Sequence, residues 1–422
     1  MATQDVFEEW NVYALKRQLI ERDVNISSLI SNSKLKVSAV TGIRRAGKSS
    51  LLMLIAQKLS KEGGKVAYIN LEDSRIKYKP EVLDEVIKWF GDEGFLLLDE
   101  ITSIKGWEDW LARTHELTKG KLRMIISSSR KGLTQPSKPL RGRIVQFEMY
   151  PLSFKEFLAF KGIKPEKTTA STGALEKALK EYLRFGGFPE VVLTQGETDK
   201  VSILNSYFKG IIGLDIAEVA HEDISVVEAF SNYAAQSTYF SASKCLNFFK
   251  TLGYKIGKEK LLALEHYSQE GFLFFFVPVF SYNIKDKSQY PRKDYTGDTG
   301  FIYAISGKTD MGQLFENAVF LELRRRLQNN KQVSYWKNKT GKEVDFVIRQ
   351  GTSISEIIQV VYTLESDKTT NRELSALTEC AKELKAKQGV LITKDKKRVK
   401  SQDKIKVTYT PLINWLLEKH AY

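Results

Sequence analysis

The segment Gly42-Ile-Arg-Arg-Ala-Gly47-Lys48-Ser49 constrains this chain more than any other stretch. It matches G-x-x-x-x-G-K-[ST], and its surroundings are the ones that motif needs. A β-rich run, Lys36 to Thr41, stands before it, and an apolar-periodic helix, Ser49 to Leu59, follows. Glycines at the two ends of the loop let the backbone turn its N–H groups onto phosphate oxygens, and the positive end of the helix adds to the attraction. The candidate nucleotide-binding set is therefore Gly42, Ile43, Arg44, Arg45, Ala46, Gly47, Lys48, Ser49 and Ser50. Lys48 is expected to reach the β- and γ-phosphates of ATP, and Ser49 to ligate Mg²⁺. Arg44 and Arg45 are read as shaping the loop or facing solvent.

A second half of such a site belongs on a neighbouring strand, and Phe95-Leu-Leu-Leu-Asp99-Glu100 supplies it. An apolar run ends there in two carboxylates. Asp99 at the strand tip is the second expected Mg²⁺ residue, acting through water. Glu100 is the expected catalytic residue, accepting a proton from the attacking water or orienting it. Arg141 and Arg143 flank Gly142 further on. One of them acts as an arginine finger on the γ-phosphate, within the subunit or across a subunit boundary, or the pair is a basic surface turn.

Strands alternate with helices through the first 150 residues. After the runs named above come a strand at Val66 to Leu71, a helix at Val82 to Phe90, a helix at Trp107 to Thr118 and a strand at Arg123 to Ser128. Continuous apolar strands alternating with helices imply a parallel sheet covered on both faces. Residues 1 to 33 read as helical. Beyond Pro151 the pattern changes, with helices at Ser153 to Phe160 and Ala174 to Phe185 and a surface loop at 161 to 175. The stretch from about 198 to 270 is mostly helical, with a helix pair from Ser241 and from Gly257, and a strand-like run, Phe272 to Phe280, comes next. Helix, turn, helix and strand suggest a winged-helix unit. From about 311 the pattern is α/β again: a helix at Gly312 to Leu327, strands at Val333 to Trp336, Val344 to Ile348 and Ile357 to Val361, a helix at Leu374 to Lys385 and a strand at Gly389 to Ile392.

The loop Gly42 to Leu51 resembles that of archaeal-type AAA+ ATPases, which also occur in bacteria. Tyr68-Ile-Asn-Leu-Glu-Asp, Leu98-Asp-Glu-Ile, Gly106-Trp-Glu, Leu140-Arg-Gly-Arg, Tyr150-Pro-Leu-Ser-Phe-Lys-Glu-Phe-Leu, Gly186-Gly-Phe-Pro-Glu-Val-Val, Gly341-Lys-Glu-Val-Asp-Phe and Ile358-Gln-Val agree in order along nearly the whole chain. The resemblance implies an α/β P-loop NTPase fold with an AAA+-like parallel sheet over residues 1–150. It further implies a helical lid over 151–235, a winged-helix region over 236–305 and an α/β domain of restriction-endonuclease-like fold over 306–422. Where the family pattern has Thr-Gly-Ser and a polar residue, this chain has Ser127-Ser128-Ser129-Arg130; Ser129 is the implied γ-phosphate sensor. Nucleases of the C-terminal fold hold Mg²⁺ with a helix Glu, a strand Asp and a Glu-x-Lys on the next strand. The matching positions here are Glu316, Asp345 and Gln359, and the Lys is missing, which leaves a remnant.

Composition narrows the partners. The net charge is +14, with Lys394, Lys396, Lys397, Arg398 and Lys400 clustered near the end. Such a surplus suits a polyanion or is simply a solvated surface. Lys244, Lys255, Lys258 and Lys260 divide the same way. Trp336, in Tyr335-Trp-Lys-Asn-Lys, either stacks on a nucleic acid or is core. DNA and protein both stand as partners, and oligomerisation stays open. The two cysteines, Cys245 and Cys380, lack metal-site spacing and suit a reducing cytoplasm. The acidic start does not read as a signal peptide, and the run Phe272 to Phe280 is short of the roughly 20 residues that cross a membrane. The expected function is Mg²⁺-dependent ATP binding and hydrolysis, coupled to DNA or protein binding by the C-terminal half. The alternatives are an ATP-regulated nuclease using Glu316 and Asp345, and a nucleotide-dependent switch with negligible turnover.

Overall fold

The computed structural model describes residues 3–130, 140–166, 168–283, 290–327, 331–364, 366–402 and 404–418. The chain divides into two compact units, Met1–Pro151 and Leu152–Tyr422.

In the first unit the elements run α1 (Thr3–Lys16), α2 (Ile26–Asn32), β1 (Val37–Gly42), α3 (Lys48–Lys61), β2 (Val66–Asn70), α4 (Val82–Phe90), β3 (Gly94–Asp99), α5 (Trp107–Thr118), β4 (Leu122–Ser128) and β5 (Ile144–Met149). The strands form one five-stranded sheet in the order β2-β3-β4-β1-β5. Every pairing in it is parallel. Side chains alternate between its faces, as the strand period demands. Leu96 and Leu98 pack with Ala67, Ile69, Met124 and Ile126 against α4 and α5. Leu97 points the other way and packs with Tyr68, Ile125 and Val40 against Leu51, Leu52 and Ile55 of α3. Burial on both faces accounts for the unbroken apolar run in β3.

The second unit begins with α6 (Phe154–Phe160), whose N-terminus is held by a reciprocal Ser153–Glu156 capping box. Then follow α7 (Thr169–Phe185), α8 (Pro189–Leu193), α9 (Glu197–Gly210), a π-helical stretch Ile211–Ala217, α10 (Glu218–Ala220) and α11 (Ile224–Ala235). Strand β6 (Tyr239–Phe240), helices α12 (Ala242–Thr251) and α13 (Lys258–Glu270), and strands β7 (Phe274–Val277) and β8 (Arg292–Thr296) come next. These strands make an antiparallel sheet in the order β6-β8-β7. Helices α14 (Thr299–Ser306) and α15 (Met311–Arg326) lead into β9 (Lys331–Lys337), β10 (Glu343–Gln350) and β11 (Ser353–Val360). Helix α16 (Asp367–Glu383), β12 (Gln388–Thr393), β13 (Arg398–Gln402), β14 (Ile405–Pro411) and α17 (Leu412–Leu417) complete the unit. The six-stranded sheet runs β13-β14-β12-β11-β10-β9. It is mixed: β9, β10 and β11 are antiparallel, and α16 carries the chain over to parallel β12. Among the described residues no helix is long and apolar enough to cross a membrane.

Several expectations need correcting. Residues 1 to 33 are two helices, not one helical run, because Arg17 to Asn25 leave the helix. The presumed loop 161 to 175 is helical from Thr169, since the Thr168 side chain caps the Ser171 N–H. Strands β5, β6, β8, β13 and β14 went unread. β5 is an edge strand with half-buried residues, and β13 is exposed over most of its length, so neither shows a continuous apolar run. Trp336 is 2% exposed and belongs to the C-terminal core, not to a stacking surface.

Leu97 is fully buried at the middle of the first sheet. Leu97→Ala is expected to cost about 2–5 kcal/mol of stability, read by chemical denaturation. A cost below about 1 kcal/mol would be inconsistent with a sheet covered on both faces.

Candidate functional site

The C-terminal ends of β1, β4 and β3 lie side by side, and the residues at those ends form the site. At β1 the chain reaches Gly42 and turns. A Cβ on Gly42 would sit 2.0 Å from the Met149 carbonyl oxygen of β5, so only glycine fits there. Arg45 (φ 70°) and Gly47 (φ 101°) take left-handed backbone angles that wrap the loop before α3 begins at Lys48. A non-glycine residue in that region is uncommon and marks a functional turn. Arg22, which sequence reasoning passed over, braces the loop from outside. Its guanidinium donates to the Ala46 carbonyl at 2.8 Å and to the Tyr150 carbonyl at 3.1 Å. Arg22 lies in an irregular stretch with no motif, so nothing local advertised it.

The Lys48 side chain is 4% exposed, and its ammonium donates to the Gly42 and Ile43 carbonyls at 3.1 and 3.3 Å. It also lies 3.6 Å from the Glu100 carboxylate. Arg44 turns away toward Glu72 at 3.5 Å, whereas Arg45 is exposed. Ser49 and Ser50 open α3 and are half-buried.

Asp99 is 1% exposed. The Tyr68 hydroxyl donates to its Oδ2 at 2.8 Å, and the Ser127 hydroxyl donates to its Oδ1. The Ser49 hydroxyl is near enough to Asp99 and Tyr68 to oppose the upward shift of each. Burial first, and the Glu100 charge second, push the Asp99 carboxyl up, while these hydroxyls oppose the shift. Burial and the Asp99 carboxylate push the Tyr68 phenol well above its usual range, so it acts as a donor only. The expected Mg²⁺ residues Ser49 and Asp99 are thus brought together.

Glu100 takes a left-handed turn (φ 52°) directly after β3. Its N–H donates to Ser127 Oγ at 2.9 Å, and its Oε2 accepts the Ser129 N–H at 3.0 Å. Ser129 therefore meets the site through its amide, which fixes the Glu100 carboxylate. Arg141 and Arg143 do not join them. Arg141 is exposed, and Arg143 pairs with Glu116 at 3.3 Å on the surface. The register pairs Val37 with Ile144 and Gly42 with Met149, and the Arg143 carbonyl accepts the Val37 N–H at 2.8 Å. At about 3.3 Å per residue, this sets Arg143 roughly 20 Å from the loop, at the opposite end of β1. A finger role within the same subunit is thereby corrected; the trans and surface-turn readings are unaffected.

The C-terminal remnant lies in the second unit. Glu316 of α15 and Asp345 of β10 do converge, but on a lysine of β8. The Lys293 ammonium sits 2.8 Å from Glu316, 2.6 Å from Asp345 and 3.1 Å from Glu343. Burial by itself pushes that ammonium down, but Asp345, then Tyr295, Glu316 and Glu343, hold it well above the usual lysine range. Gln359 faces elsewhere: its amide oxygen accepts the Asp345 N–H at 3.1 Å and its nitrogen donates to Glu373 at 2.8 Å.

Because Arg22 holds a loop carbonyl with a charged donor, Arg22→Ala is expected to weaken ATP binding by about tenfold. Titration with a fluorescent nucleotide checks this; unchanged affinity would leave the loop rigid without its brace.

Similarity searches agree with this geometry. A family model described as an AAA domain matches residues 34–158. Two models described as domains of unknown function match residues 176–312 and 311–413. A Methanocaldococcus jannaschii protein named "Uncharacterized protein MJ1544" is 34% identical over 383 residues, covering 88% of this chain and 84% of that protein. A Haemophilus influenzae "Uncharacterized protein" is 26% identical over 96% of this chain and all of its own length. Among solved structures, "Replication initiator DnaA bound to AMPPCP and single-stranded DNA" aligns over 58% of this chain and 86% of its own, at 16% identity and a TM-score of 0.29, too loose a match to bear on function. The chain accordingly belongs to the family that includes the Methanocaldococcus jannaschii protein MJ1544, and its residues 34–158 form an AAA domain.

Proposed function

We propose that the protein binds and hydrolyses ATP with Mg²⁺ at the loop Gly42 to Ser50. The observation that carries this reading is Glu100, held by the Ser129 amide at 3.0 Å and set 3.6 Å from Lys48, beside the Ser49–Asp99 pair. A hydroxyl and a carboxylate suit Mg²⁺, a hard ion that keeps several waters and binds through few protein groups. The ion supplies charge neutralisation on the transferring phosphate. Loop amides and Lys48 hold the triphosphate. Asp99, kept in place by Tyr68 and Ser127, receives the hydrated ion with Ser49. Glu100, partly exposed and fixed on one oxygen, orients a water and accepts its proton. Ser129 positions Glu100; Arg141 or Arg143 reaches a phosphate only from another copy of the chain.

The same reading assigns residues 151–235 as a lid, 236–305 as a winged-helix region and 306–422 as a restriction-endonuclease-like domain. The order α11, β6, α12, α13, β7, β8 supports the second of these, and α15, β9–β11, α16, β12 supports the third. In this reading hydrolysis changes how the C-terminal half engages a partner. Exposed Lys244, Lys255 and Lys258 at α12 and α13, and Arg398 and Lys400 on edge strand β13, favour a polyanion such as DNA. Lys260, by contrast, is paired with Glu222. Buried, unpaired Cys245 and Cys380 support a cytoplasmic setting.

Lys48→Ala is expected to abolish ATP binding. Glu100→Gln should keep binding while lowering steady-state phosphate release by about 100-fold or more. Normal turnover in Glu100→Gln would overturn the role of Glu100, and wild-type protein that binds ATP without turnover would favour a switch.

A further inference from the structure

The resemblance implies a divalent metal held by Glu316, Asp345 and Gln359, and the side chains there do not fit one. Gln359 is already committed: its carbonyl accepts the Asp345 N–H at 3.1 Å and its amide nitrogen donates to Glu373 at 2.8 Å. Both Asp345 oxygens are engaged: Oδ2 accepts the Val360 N–H at 2.7 Å and Oδ1 accepts the Lys293 ammonium at 2.6 Å. Glu316 Oε1 accepts from the Tyr295 hydroxyl at 2.6 Å as well as from Lys293. Glu343 is held by Lys293, by the Tyr239 hydroxyl and by Lys337 at 3.1 Å. No group of three or more metal-ligating side chains is left among the described residues.

We infer that the Lys293 ammonium is the resident cation of this acidic cluster, standing where a nuclease of this fold would hold its metal. The match is stoichiometric. An ammonium has three N–H donors, and three carboxylates surround this one. Lys293 is 3% exposed, and the Tyr239 and Tyr335 rings lie 5.8 and 6.0 Å from it. A metal could enter only by expelling a buried lysine. The lysine comes from β8, whereas its partners stand on α15 and β10, so the ammonium ties the three-stranded sheet to the six-stranded one. The C-terminal domain therefore keeps the shape of a cleaving centre and uses it as a clamp, which makes it a binding module. This conclusion is independent of the ATPase reading.

The test uses full-length, nucleotide-free protein. Wild type should leave supercoiled plasmid intact in Mn²⁺, and Asp345→Asn should not change Mn²⁺ binding measured by electron paramagnetic resonance. Lys293→Met removes the ammonium at near-constant volume. It should lower the unfolding temperature by roughly 5–10 °C, and Mn²⁺ should restore part of that loss, an effect Asp345→Asn abolishes. Mn²⁺-dependent nicking by wild type that Asp345→Asn removes would overturn the inference. So would a Lys293→Met protein whose stability matches wild type or ignores Mn²⁺. Should Lys293→Met fail to fold, the triple variant Lys293→Met, Glu316→Gln, Asp345→Asn decides: recovery of folding supports a charge-balancing clamp, and no recovery contradicts it.

Discussion

The Ser127 hydroxyl is the joint on which the phosphate end of the first unit depends. It donates to the Asp99 carboxylate and accepts the Glu100 N–H at 2.9 Å. One small side chain at the end of β4 thus fixes two adjacent acids of β3 in different directions. Asp99 is directed into the buried layer under Ser49 and Tyr68. Glu100, turned by its left-handed backbone, is directed toward Lys48. Without that division the two carboxylates would compete for one environment, and the Glu100 charge that already pushes the Asp99 carboxyl up would bear on it more strongly. The strand order makes the joint available: β4 lies between β1 and β3, so its serines stand between the loop and the acids.

Much of this was legible in the sequence, and the parts that were not have a common cause. Gly42 to Ser49 and Phe95 to Glu100 are local patterns whose chemistry is tied to spacing along the chain. Their flanking strands are buried on both faces and so read as apolar runs. Arg22, Ser127 and Tyr68 act across 24, 28 and 31 residues of sequence, and no local periodicity records such a contact. Arg141 and Arg143 failed as same-subunit fingers for a related reason. Their motif fixes composition, but only the parallel register of β5 on β1 shows at which end of the sheet they fall. The strands that went unread are exposed or edge strands, such as β5 and β13, or, like β8, buried strands of polar residues, and neither kind shows an apolar run.

The two acidic clusters show how burial and pairing separate reactive chemistry from structural chemistry. Glu100 sits beside a lysine that is shared with loop carbonyls, and it stays partly exposed with one oxygen only loosely engaged at 3.6 Å. Charge remains to be neutralised there, and access is open. Around Lys293 the acids are matched with donors, and the ammonium and the Asp345 carboxylate are buried. A buried charge set of that kind is costly to break and of modest net benefit to form, so its value lies in specificity of geometry rather than in stability alone.

On the proposed reading, that contrast separates a site open to chemistry from a cluster that holds structure. A metal centre needs carboxylates held apart by something that can leave and return, and hydrated ions do so readily. A lysine tethered to β8 cannot diffuse away, so replacing the ion with an ammonium converts an exchangeable site into a permanent joint. The same carboxylate geometry then specifies how β8 docks on α15 and β10. On the proposed reading, the Lys missing after Gln359 and the Lys293 supplied by β8 belong together: a nuclease's base assistant would be lacking, and an ammonium would stand where its metal would sit.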